Sequence, residues 1–168
     1  VSTWSALPPS GNLLGQRAKV SDGLGLCVAV WDGTAWRVSP DADTGWLRWS
    51  SFANGWTAQG GYAYLRRNGM VVRMYADLTF PATWNGIVRA NAFPGFGVSP
   101  GLSGWSAQQL RSTLITTESG VPRTANAMAV GPAAGFWFRI LGAAITSSRS
   151  IGQLDYYTDD AWPTVAPA

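Results

Sequence analysis

The chain has no histidine, one cysteine (Cys27), one lysine (Lys19) and one glutamate (Glu118). Each scarcity removes a class of chemistry. Without histidine, the commonest general base and zinc ligand is missing, and a serine or cysteine nucleophile has no imidazole to activate it. A lone cysteine forbids an intrachain disulfide and excludes the stapled framework of small secreted domains. Its apolar run, Leu26-Cys27-Val28-Ala29-Val30, reads as the setting of a buried, inert thiol. No apolar run reaches the roughly 20 residues that span a bilayer, so no membrane insertion is expected. Val1 to Ser5 lacks the basic and apolar regions of a signal peptide. The absence of an initiator methionine suggests a piece of a longer protein, or processing.

Charge is scarce as well. Charged residues make up 12% of the 168, against 46% hydrophobic, about half the usual charged share. That balance is too apolar for a disordered tail and suits one domain with a real core. The formal charge of +3 is carried almost wholly by arginine, but the basic residues are scattered and only Arg66-Arg67 are adjacent. They read as a solvated surface with ion pairs, and no patch suggests nucleic acid.

Glycine (20) and proline (10) are plentiful and punctuate short apolar runs, the pattern of an all-β sandwich or barrel. Only 106–114 offers a candidate for a short helix. Strands are expected over 16–20, 26–31 and 35–38, with Asp32-Gly33-Thr34 as a hairpin turn that Trp31 and Trp36 flank and can pack across. The polar stretch Pro40-Asp41-Ala42-Asp43-Thr44-Gly45 reads as a linker. The clearest hairpin joins 62–67 to 70–75 through Asn68-Gly69, a strong two-residue turn signal. That turn sets Arg67 opposite Met70, Leu65 opposite Val72 and Ala63 opposite Met74 on a core face. The other face carries Tyr62, Tyr64 and Arg66 opposite Tyr75, Arg73 and Val71, with a cation–π contact expected between Tyr64 and Arg73. Further strands are expected at 78–80, 86–90, 114–117, 127–130, 136–141 and 151–157, and 93–104 must be loop. The expected fold class is therefore all-β: a small N-terminal β-hairpin unit (1–40) followed by an antiparallel, jelly-roll-like β-sandwich (45–168), with about ten strands in all.

Several phrases resemble a known family. Gly45-Trp46-Leu47-Arg48, Asn54-Gly55-Trp56-Thr57, Tyr64-Leu65-Arg66-Arg67-Asn68-Gly69 and the closing Thr158-Asp159-Asp160-Ala161-Trp162-Pro163-Thr164 look like the carboxy-terminal domain of bacteriophage minor tail and tail fibre proteins, especially those of actinobacterial phages. The resemblance covers about 45–163. Gly15 to Val20 followed by Trp31 to Trp36 resembles a small hairpin motif that recurs in phage tail proteins. The likeness implies a receptor-binding module in the virion tail, a homotrimer, and contact with other tail proteins. Trp46, Trp56 and Trp162 match the family's structural tryptophans rather than ligand contacts. The middle, 78–148, follows the pattern least, and binding loops are expected there.

Ten tryptophans invite a carbohydrate reading, because the flat C–H face of a sugar stacks on indole. A β domain with few charges also needs large apolar side chains, and roughly seven of the ten are assigned to core or interface. The remaining candidates sit in glycine-rich, polar loops: Trp84 with Asn85 and Arg89, and Trp105 with Gln108 and Arg111. Aromatic, amide and guanidinium groups together suit a bacterial cell-surface glycan, and suit an ordinary protein interface equally. No catalytic residue, metal ligand or cofactor site is assigned. Asp159 and Asp160 are adjacent on an extended chain and point to opposite faces, whereas a glycosidase pair must flank one bond; they read as turn caps. Asp155 and Asp159 lack the dense oxygen loop of a calcium site, and Gly95-Phe96-Gly97 lacks the strand–turn–helix setting of a dinucleotide site. Three functions stay open: a glycan-binding tail adhesin without enzymatic activity, a structural tail subunit, and a glycan depolymerase.

Overall fold

The computed structural model describes residues 1–52, 56–79, 86–89, 93–97, 112–118, 121–129, 136–139 and 148–167. Of these, 59–62, 86–89, 112–118, 121–129, 136–139, 148–152 and 154 are described as backbone only. The fold is all-β apart from one 3-10 turn at Trp4–Ala6. A first antiparallel sheet has the order β1-β2-β3, from β1 (Arg17–Lys19), β2 (Val28–Trp31) and β3 (Trp36–Val38). The second, β-sandwich-like part uses β4 (Leu47–Arg48), β5 (Thr57–Asn68), β6 (Val71–Thr79), β7 (Gly86–Arg89), β8 (Ser112–Glu118), β9 (Val121–Ala129), β10 (Phe136–Arg139) and β11 (Ser148–Tyr157). Its strands are hydrogen-bonded in the order β4-β5-β6-β11-β8-β9-β10-β7. The expected all-β class and the small leading β unit are both present. The short helix expected over 106–114 is not formed in its described part, since Ser112 to Leu114 open β8 and pair with β9. Residues 106–111 lie outside the described residues.

Local chemistry explains the turns. Between β2 and β3 the Asp32 carboxylate accepts from the backbone N–H groups of Thr34 and Ala35 and from the Thr34 hydroxyl. The chain reverses there and Trp31 meets Trp36 edge to face at 5.6 Å, as the sequence predicts. The β5–β6 hairpin departs from expectation. Asn68 pairs with Val71, Arg67 with Val72, Leu65 with Met74 and Ala63 with Ala76, so the turn is Gly69-Met70 and Met70 is exposed. The reason lies outside the hairpin: Asn68 bridges to Asp43 and is held extended, which moves the reversal on by one residue. Gly69 takes φ 51 at the first central position, the conformation that such tight hairpins favour. The register shifts by two, so each side chain keeps its face. Ala63, Leu65, Arg67, Val72 and Met74 point inward as expected, but Tyr64 faces Tyr75 rather than Arg73, and the expected Tyr64–Arg73 contact is replaced.

The stretch expected to be a linker is packed instead. Ala42 and Thr44 are buried. Asp43 exchanges backbone hydrogen bonds with Leu26 at 2.7 and 2.8 Å, Thr44 donates its N–H to the Arg67 carbonyl at 3.0 Å, and Gly69 donates to the Ala42 carbonyl at 2.8 Å. One side chain gathers these segments. Arg67 is 1% exposed, and among the described residues its guanidinium donates to backbone carbonyls: Nε to Gly69 at 2.9 Å, Nη1 to Gly95 at 2.7 Å and Ala161 at 2.9 Å, and Nη2 to Asp160 at 2.8 Å. The Trp162 ring lies 5.1 Å from its Cζ. Gly95 sits at φ 83, and a Cβ there would strike Pro163, so only glycine lets the 93–97 turn approach the closing segment this closely. The Asp160 carboxylate ties the same turn down, accepting the Gly97 N–H at 2.7 Å.

Two apolar clusters flank this hub. The larger comprises Trp49, Trp56, Ala63, Leu65, Val72, Met74, Ala76, Leu78, Phe93, Phe96 and Tyr156. The smaller comprises Leu7, Val20, Cys27, Ala29, Ala42 and Trp162. Trp162, from the far end of the chain, completes the core of the first sheet and donates its indole N–H to the Leu24 carbonyl at 2.9 Å. Trp56 and Trp162 are thus structural, as the resemblance implied. Burial pushes the Cys27 thiol up to about 11, with Asp22 adding to the rise.

Two outcomes follow from this packing. Arg67→Met removes the donor from four buried or part-buried carbonyl contacts and should cost at least about 3 kcal/mol in urea unfolding. Arg67→Lys should recover only part, because an ammonium lacks the planar fork; a loss under about 1 kcal/mol for Arg67→Met would contradict a structural role for this guanidinium. Iodoacetamide at pH 8 should modify Cys27 in the native protein about 100-fold more slowly than in the urea-unfolded chain, since a raised thiol pKa keeps it neutral there. Equal rates would show the thiol to be accessible.

Candidate functional site: an aromatic cleft on the outer sheet face

The face of β5, β6 and β11 opposite the core carries two rows of side chains. Across the strands, Arg48, Tyr64, Tyr75 and Gln153 align in register, and beside them run Arg66, Arg73 and Asp155. Alternation along β4 decides what joins them. Leu47 packs on the large core and Trp49 is buried in it, so Trp46 and Arg48 project to the other side and are exposed. Trp46, Tyr64, Tyr75 and Gln153 line an open cleft of about 330 Å³, the lower end of the size range of small-ligand sites.

Trp46 is the exception among the tryptophans. Of those whose side chains are described, Trp31, Trp49, Trp56 and Trp162 are buried, Trp4 and Trp36 are half-buried, and Trp46 is 47% exposed. Its surroundings are nonetheless fixed. The Arg66 guanidinium lies 6.0 Å from its ring and is itself clamped by Asp43, Nε to Oδ1 at 3.0 Å and Nη2 to Oδ2 at 2.5 Å. Asp43 Oδ1 also accepts the Gly45 N–H at 2.9 Å, which anchors the backbone just before Trp46. Arg66 holds the Asp43 carboxyl below its usual range, and the carboxylate raises Arg66 in return. At the other side of the cleft, Arg73 binds Asp155 through Nε and Nη2 at 2.9 to 3.1 Å, and the Gln153 amide donates to Asp155 at 3.1 Å.

The floor is therefore apolar and aromatic, and its rim carries paired charges. Among the described residues, the Trp46 indole N–H and the Tyr64 and Tyr75 hydroxyls make no hydrogen bond, so these polar tips are open to water or a ligand. Aromatics on the solvated face of a sheet also follow from β-propensity alone. What distinguishes this set is the convergence of three rings and an amide on one concavity.

The sites expected from sequence lie elsewhere. Trp84, Asn85, Trp105, Gln108 and Arg111 fall outside the described residues. The backbone of Arg89 ends β7, at the opposite end of the sheet order from β4, where it pairs with Phe136. Trp46 must be reassigned from a structural tryptophan to a surface one. The signal for it was present in the alternation Trp46-Leu47-Arg48-Trp49 and in the outward placement of Tyr64 and Tyr75. Gln153 had no such signal, because only strand pairing brings β11 beside β6. The chain matches no protein-family model, no curated protein and no solved structure.

Asp43 makes the mounting of Trp46 sensitive to pH. A carboxyl held below its ordinary value stabilises the fold fully above that value, and the contribution is lost as pH falls through the lowered native one. Asp43→Asn should lower Tm at pH 7, and the gap to wild type should hold down to about pH 4 and close below it. A gap that stays constant from pH 7 to pH 2 would mean that the ion pair does not support this corner.

Proposed function

We propose that the cleft is a glycan-binding face, and that the chain is a distal module of a bacteriophage tail or fibre that attaches by it to a bacterial surface. The observation that carries this reading is the exposure of Trp46 in a protein that buries most of its described indoles, set in a cleft with Tyr64, Tyr75 and Gln153. A pyranose offers an apolar C–H face to such rings, while its hydroxyls meet the tyrosine O–H groups, the indole N–H and the Gln153 amide. The resemblance of the flanking phrases to phage tail domains supplies the biological setting. An open, shallow site suits a polymer chain passing across it.

Binding without cleavage is the favoured activity. Hydrolysis of a glycosidic bond needs two carboxyl groups about it. The two described carboxylates bordering the cleft are both engaged, Asp43 by Arg66 and Asp155 by Arg73 and Gln153. That supports an adhesin over a depolymerase.

Calorimetric titration of purified bacterial envelope polysaccharides tests the proposal. Trp46→Ala and Tyr64→Ala should each weaken binding at least about tenfold, the loss of about 1.4 kcal/mol expected when an aromatic anchor is removed. Met70→Ala, in the exposed turn, should leave it unchanged. A Trp46→Ala protein that binds as wild type does, yet turns from trimer to monomer in sedimentation equilibrium, would make the face a subunit interface instead.

A further inference from the structure

We infer that the glycan taken by this cleft is anionic, and that Arg48 reads its carboxylate or phosphate. The inference rests on the glycan-binding reading above and adds the chemical class of the sugar. Arg48 is the cross-strand partner of Tyr64, and the alternation of β4 puts its side chain on the same outer face as Trp46. Directly opposed residues lie within about 5.5 Å at Cβ, so a guanidinium there borders the ring that walls the cleft.

Its electrostatic position is singular among the arginines whose side chains are described. Arg17 pairs with Asp41, Arg37 with Asp32, Arg66 with Asp43 and Arg73 with Asp155, and Arg67 is enclosed by four carbonyls. Arg48 has no ion pair or hydrogen bond among the described residues and is exposed. Among the described side chains around the cleft, three arginines (48, 66 and 73) therefore face two aspartates (43 and 155), and the surplus positive charge resides on Arg48. The paired guanidinium groups are already satisfied. Among the arginines whose side chains are described, Arg48 alone presents a full fork, which matches a carboxylate or phosphate through two parallel N–H donors. An unpaired surface arginine with no partner to meet is usually just solvated; here it stands in line with two tyrosines and an amide at the edge of a concavity. A neutral sugar would leave that charge without a role, whereas an anionic one gains both stacking and a charge-assisted contact.

Matched polysaccharides separate the sources of the anion. Teichuronic acid is compared with its carboxyl-reduced form, and a polysaccharide bearing pendant phosphate monoesters with its phosphatase-treated form, each titrated into wild type, Arg48→Gln and Trp46→Ala. One native polymer should bind at least about tenfold more tightly than its neutralised counterpart, and Arg48→Gln should abolish that ratio while leaving affinity for the neutral form intact. The pair that shows the difference identifies carboxylate or phosphate. Trp46→Ala should weaken native and neutral forms together. If the polymers bind and neutralisation changes nothing, or if Arg48→Gln leaves the ratio standing, the anionic inference is overturned while the glycan reading survives. If wild type binds none of the four, both fall.

Discussion

A single buried guanidinium organises this protein. Arg67 lies on the inward face of the β5–β6 hairpin, in a position that alternation reserves for an apolar side chain, and forms no ion pair among the described residues, although the nearby Asp160 carboxylate favours its charge. Its charge is stabilised by four carbonyl dipoles drawn from the hairpin turn, the 93–97 turn and the closing residues 160–161. Burial depresses its pKa to about 10, so it is still a cation at neutral pH. A buried charge without its partners is costly. The chain must therefore bring three distant segments to the same place, and in doing so it docks Trp162 into the core of the first sheet.

The outer face depends on that arrangement. With Asn68 bridged to Asp43, the hairpin turn shifts to Gly69-Met70 and the register settles with Tyr64 opposite Tyr75. The same Asp43 clamps Arg66 and the backbone before Trp46. The connector between the two sheets thus fixes the inner register and the outer cleft together. Rings held on paired strands lose little freedom when a ligand arrives, which favours binding by a preorganised surface. Loops would have to be ordered first.

What the sequence made legible was periodic and local. Alternation assigned Ala63, Leu65, Val72 and Met74 to the core and Tyr64, Arg66, Arg73 and Tyr75 to the solvent side, and it placed Arg67 inside even though its charge argues for the surface. The Asp32 turn and its flanking indoles followed from side-chain chemistry within a few residues. The turn forms at Gly69-Met70 rather than at Asn68-Gly69 because a contact with Asp43, distant in sequence, overrides the local preference. Trp46 is surface-facing where a structural tryptophan is expected, because a short motif does not encode the exposure of the residues within it. The partners of Arg67 at Gly95, Asp160 and Ala161 lie 28 to 94 positions off and leave no periodic trace.

The decisive observation concerns which indole meets the ligand. In protein labelled with 15N at tryptophan, the ten side-chain N–H resonances can be followed while an envelope polysaccharide is titrated. The Trp46 resonance should move in proportion to saturation, while those of Trp49, Trp56 and Trp162, sealed in the two cores, stay in place. A polysaccharide that binds and leaves the Trp46 resonance unmoved would contradict the account.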